Sequence, residues 1–145
     1  MNVEVSGAAI PRFSRREIGA FTSKVLLALR KGGAISDVSI AFVDDASMQQ
    51  LNKRYRRRNR TTDVLTFPAD ESYADPRATK RPLGDIVISV DQARRQALDE
   101  RHSLATEVRY LILHGVLHAL GYDHETDHGE MNALELKVRE KVGLA

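Results

Sequence analysis

A chain of 145 residues, 42% apolar and 29% charged, has the size and composition of one globular domain. It holds no cysteine, which excludes disulfides and thiolate metal sites, and no apolar run approaches the length of a membrane span. The formal net charge is +2, with a pI near 9.0, so bulk charge alone does not call for nucleic acid.

Taken in order, NVEV (2–5) alternates weakly as a strand, and the opening as a whole lacks the basic-then-apolar order of a secretory signal. A cytoplasmic protein without a membrane partner is expected. Ser14 is placed to cap a helix with Ile18, Phe21, Val25, Leu26 and Leu29 at helical spacing, which Gly32 and Gly33 should stop. DVSIAFV (37–43) alternates as a half-buried strand. Asp44 or Asp45 caps a second helix whose apolar positions are Met48, Leu51 and Tyr55.

VLTF (64–67) is a short strand ended by Pro68, and 70–82, with two prolines and no period, is expected to be an exposed loop. DIVISV (85–90) is rich in β-branched residues and should be a central strand. Asp91 is expected to cap a helix to about Arg101. Ser103 caps the next helix, which runs through the histidines. A last helix covers 127–142, with Met131, Leu134, Leu136, Val138 and Val142 loosely on one face. About four strands interleaved with four to five helices predict a single α/β (α+β) domain over 1–145, one mixed sheet layered with helices.

HGVLHALGYDH (114–124) holds three of the five histidines. On a helix, His114 and His118 sit roughly 40° apart on one face, so their imidazoles can chelate one cation. In a continuing helix, His124 would lie about 15 Å further along the axis and about 80° off that face. The helix must therefore break, and Gly121 stands where a left-handed residue ends a helix. Two ligands, a hinge and a third ligand leave a tetrahedral ion with one open position, the catalytic arrangement. His102 reads as exposed, and His128 as a surface residue with a stray ligand as the alternative. The spacing is similar to that of the metzincin proteases. Their glutamate base follows the first His, whereas Gly115 stands here.

LNKRYRRRNRTTDVLTFP (51–68), LGDIVIS (83–89) and HGVLHALGYDH (114–124) resemble the three signature blocks of the YbeY family of bacterial ribosomal RNA maturation factors. The resemblance covers nearly the whole chain. It implies a zinc-dependent endoribonuclease acting on single-stranded RNA, chiefly precursor rRNA of the small subunit, with a part in ribosome quality control and contacts to small-subunit components. DNA is not an implied substrate. His114, His118 and His124 would hold one Zn2+ per chain, at the end of a helix in the C-terminal half. His114 and Arg56 would form the catalytic centre.

KRYRRRNR (53–60) contains six basic residues and no acid. Lys53, Arg57, Arg58 and Arg60 would serve as a track for the RNA backbone, and Tyr55 could stack a base if exposed. The plain alternative is a solvated helix end, with Tyr55 turned into the core. If the helix continues, Arg56 and Arg60 share a face. Arg56 alone is expected beside the reacting phosphate, able to grip two of its oxygens. Asp85 and Asp123 are candidates for orienting the ligands, and Thr62-Asp63 reads as a turn or cap. Two other functions stay open: a metal-stabilised, non-catalytic ribosome assembly factor, and a metallopeptidase with an unusual base.

Overall fold

The computed structural model describes residues 1–58, 60–70, 75–123 and 125–144. Its elements run β1 (Asn2–Gly7), α1 (Arg15–Ala28), β2 (Asp37–Val43), α2 (Asp45–Arg56), β3 (Val64–Pro68), β4 (Gly84–Ser89), α3 (Val90–Glu100), α4 (Leu104–Ala119) and α5 (Glu130–Lys141). The strands form one mixed sheet of order β1-β2-β4-β3. β1, β2 and β4 are parallel, and β3 is an antiparallel edge strand paired to β4 from Val64↔Ile88 to Pro68↔Gly84. The α/β reading holds, and β4 is interior to the sheet as its β-branched residues suggested.

Period-2 alternation splits the strands between two apolar layers. Val38, Ile40 and Phe42 of β2 and Ile86 and Ile88 of β4 join α1, α4 and α5 in the main core. On the opposite face Val87, Leu65 and Phe67 meet Met48 and Leu51 of α2 in a smaller one. α4 carries the longest buried stripe, including Val108, Leu111, Ile112, Val116 and Leu117.

Several boundaries differ from expectation. α1 ends at Ala28, before the glycines, because Arg30 itself takes the left-handed conformation (φ 58°) and the Lys31 N–H bonds back to the Leu26 carbonyl. Ser89, not Asp91, caps α3, its Oγ accepting from the Gln92 N–H at 3.2 Å. Asp91 instead accepts the Asp45 N–H at the start of α2 (2.9 Å). α2 stops at Arg56, so Arg56 and Arg60 do not share a helical face. Leu136 is exposed on α5, whereas Met131, Val138 and Val142 are buried. His102 is half-buried rather than exposed: its Nε2 lies 2.7 Å from buried Glu107, and its ring stacks on Tyr110. His128 is exposed as expected. Part of the expected loop, 71–74, lies outside the described residues. Among the described residues no helix is long and apolar enough to cross a membrane.

Candidate active site

The C-terminal turns of α4 and residues of β3 line one pocket. Ser103 caps the helix at its start, and apolar packing against β3 and β4 carries it across the sheet. At its end Gly121 adopts φ +102°. The Gly121 N–H bonds to the His118 carbonyl (2.9 Å) and the Tyr122 N–H to the Leu117 carbonyl (3.1 Å). This paired closure reverses the chain at the predicted glycine.

His114 and His118 lie one turn apart with Nε2 atoms 3.0 Å from each other and rings inclined at 68°. Both line a pocket, together with Arg56 and Arg58 from the end of α2. Asp63 and Thr62, just before β3, and Asp123 and Glu125, beyond α4, complete its polar wall. His124 lies outside the described residues; its neighbours on both sides line the pocket. Two nitrogens on one tetrahedral zinc stand about 3.3 Å apart, given bonds of 2.0–2.1 Å. The paired Nε2 atoms come within a few tenths of an ångström of that spacing, so this donor pair fits such an ion. Among the described residues no cluster of three His, Cys, Asp or Glu is placed to hold a metal, so the pair needs a further donor.

The basic run divides. Arg56 and Arg58 enter the pocket; Lys53, Arg57 and Arg60 are exposed outside it. Arg58 thus brings a second arginine to the pocket beside Arg56. The reason is local. Arg57, the C-cap of α2, takes the left-handed conformation (φ 57°) and turns the chain. Buried Asn52 holds that turn, its carbonyl accepting from the Arg58 N–H (3.2 Å) and its Nδ2 donating to the Arg60 carbonyl (2.8 Å). Tyr55 does not point into the core. It is 56% exposed, edge-on to Phe67 at 5.2 Å, with Arg54 over its ring. Asp85 is exposed on β4, outside the pocket and away from the histidines, whereas Asp123 lines the pocket.

The wall before β3 is braced from behind. The Asp45 carboxylate accepts from Ser89 Oγ (2.8 Å), Thr61 Oγ1 (3.1 Å) and the Arg95 guanidinium (2.6 Å). Burial pushes this carboxyl up; the hydrogen bonds from Arg95, Ser89 and Thr61 outweigh that and hold it below the ordinary aspartate value. The Asp63 carbonyl accepts the Ser89 N–H (2.9 Å), and its carboxylate accepts the Val64 N–H (2.8 Å). Sequence reasoning missed Asp63, Thr62 and Glu125 as pocket residues. Only Asn52, an amide one turn beyond Met48 on the apolar face of α2, signalled that the turn after the helix is built.

A family model described as Endoribonuclease YbeY matches residues 9–143. The chain belongs to the YbeY family. Relatives named Endoribonuclease YbeY include one from Nautilia profundicola, 45% identical over 108 residues (74% of this chain, 73% of the relative). Another from Moorella thermoacetica is 46% identical over 116 residues (76% and 72%). The solution structure of TM1509 from Thermotoga maritima superposes with a TM-score of 0.63 at 25% identity, covering 97% of this chain and 88% of that one. The YbeY match spans both cores and the pocket, since α2, β3 and α4 all lie inside it.

Proposed function

We propose that this single domain, residues 1–145, is a metal-dependent endoribonuclease specific for single-stranded RNA, acting in the cytoplasm on precursor rRNA of the small subunit and in ribosome quality control. The observation that carries this reading is the convergence of His114, His118, Arg56 and Arg58 on one pocket. His114, His118 and His124 would hold one zinc ion per chain. When bound, zinc lowers the pKa of a coordinated water to about 7 and polarises a phosphoryl oxygen.

The chain's own groups do the rest. Arg56 and Arg58 present planar cations to the non-bridging oxygens of the scissile phosphate and stabilise the charge that builds there. Asp63, Asp123 and Glu125 are the carboxylates of the pocket, any of which would accept a proton from an attacking hydroxyl. The exposed Lys53, Arg57 and Arg60 extend the positive surface along the RNA backbone beyond the pocket, toward neighbouring phosphates. A peptidase reading has no support at Gly115: a side chain there points at Ile86 in the sheet, its Cβ 2.7 Å from Ile86 Cγ2, and not into the pocket.

The test is elemental analysis of the purified protein, paired with cleavage of an unstructured RNA with and without chelator. About one divalent metal per chain, chelator-sensitive cleavage and a folded, RNA-binding but inactive His114→Ala variant are expected. Full metal occupancy in each of the three histidine-to-alanine variants sinks the ligand assignment. A His114→Ala protein that unfolds, beside a wild type that never cleaves, makes the metal structural and the chain an assembly factor.

A further inference from the structure

α5 packs against α4 behind the pocket, and the contact between them is partly polar. The Glu135 carboxylate lies 3.5 Å from Nδ1 of His114, the ring nitrogen that does not meet His118. One turn on, Arg139 stands 3.5 Å from the other oxygen of the same carboxylate. Its guanidinium lies over the Tyr110 ring at 4.7 Å, and the Tyr110 hydroxyl donates to the Leu144 carbonyl (2.7 Å). The Glu135 side chain is only 13% exposed. A carboxylate this enclosed is costly unless cations or N–H groups face it. Arg139 supplies the first and His114 can supply the second.

A neutral imidazole carries one N–H, and the partner of one nitrogen decides the state of the other. A carboxylate facing Nδ1 keeps the proton there and leaves the Nε2 lone pair directed into the pocket. The Nε2 atoms of His114 and His118, 3.0 Å apart, are the pair a shared cation would take, and each must be free of a proton to do so. Without Glu135 the His114 proton can move to Nε2, which makes that atom a donor and closes it to a cation.

We propose that Glu135 is a positioning residue for His114: it fixes the Nδ1–H tautomer and the ring angle, so that Nε2 is presented to a divalent cation. The proposal rests on the metal reading above. A carboxylate that served only as the ion-pair partner of Arg139 would leave the tautomer of His114 unchanged.

Two measurements test it. Nitrogen-15 NMR of the histidine rings in metal-stripped protein, at one mildly alkaline pH, reads the tautomer. Competition with a chromogenic chelator reads zinc affinity. Wild type should show His114 protonated at Nδ1 only. Glu135→Ala should show mixed tautomers and a zinc affinity lower by up to about 100-fold; Glu135→Gln, which keeps an acceptor, should lose roughly 10-fold. Glu140→Gln, exposed on the same helix, should match wild type in both. Arg139→Gln leaves the carboxylate but unfastens it, so a smaller loss in the same direction is expected, and this variant decides the matter should the Glu135 variants fail to fold. A wild-type tautomer and undiminished zinc affinity in the Glu135 variants overturn the proposal. If zinc does not bind even the wild type while the tautomer still depends on Glu135, the metal reading falls and the positioning role stands.

Discussion

Six basic residues crowd 53–60, and charge alone would make any one of them redundant. Geometry removes that redundancy, because only Arg56 and Arg58 reach the pocket while Arg57 caps α2 and faces solvent. Lysine keeps the charge of arginine but not its planar fork. In single-turnover cleavage of a short RNA, Arg56→Lys should therefore lose roughly 100-fold in rate, in line with loss of one transition-state donor, with little change in RNA affinity. Arg58→Lys should lose less but measurably. Arg57→Lys should stay within about twofold of wild type, since a contact with the RNA backbone outside the pocket would be made equally in ground and transition states. Equal losses in all three would reduce Arg56 to one member of a basic patch. The histidine pair was legible in the sequence because one helical turn sets its spacing. The arginine pair was not, because it depends on a left-handed residue that is not glycine, held by a buried amide.

Two glycines of α4 and its cap show how much an element can demand of one position. Gly115 stands against β4, where a Cβ would meet the fully buried Ile86 Cγ2 at 2.7 Å. Alanine gains about 1 kcal/mol of helix propensity over glycine, but overpacking a rigid core costs about 1–3 kcal/mol. The clash should win: Gly115→Ala should lower stability by about 1 kcal/mol, read from the urea midpoint. A stabilised variant would mean that α4 can lift off the sheet at no cost. Gly121 is the opposite case. Nothing crowds it, but its φ of +102° is strained for any residue with a Cβ. Gly121→Val should cost about 1–2 kcal/mol and weaken zinc binding, although the residue is no ligand, because the chain beyond α4 is redirected. Zinc held as tightly as by wild type would separate the cap from the site. Caps and stops of this kind were partly legible: Ser14, Asp44 and Ser103 act as expected. Ser89 displaced Asp91 because the strand hands its last residue directly to the helix, a junction that periodicity cannot locate.

At the scale of the molecule, hydrophobic period assigned strands and helices but not their order, since alternation reports faces and not neighbours. The antiparallel edge position of β3, whose first residues line the pocket, follows from pairing with β4 alone. To that ladder the Asp45 carboxylate adds a polar joint, tying α2 to the segment before β3, the end of β4 and α3 through Thr61, Ser89 and Arg95. Its acidity gives a prediction for the whole fold. The folded carboxyl is held below the ordinary aspartate range, so folding favours the charged form, and the unfolded chain binds more protons as the pH falls toward that range. The contribution is therefore complete above about pH 4 and is lost as pH falls through the folded value. Asp45→Asn removes the charge and weakens three hydrogen bonds, one of them to a guanidinium, at a cost of about 1–3 kcal/mol at pH 7. Urea unfolding of wild type and variant at pH 7 and at low pH measures both halves of the argument. The gap between them should narrow as the wild-type carboxyl is protonated. A gap of the same size at both pH values would mean that the shape of the side chain, and not its charge, braces the edge of the sheet.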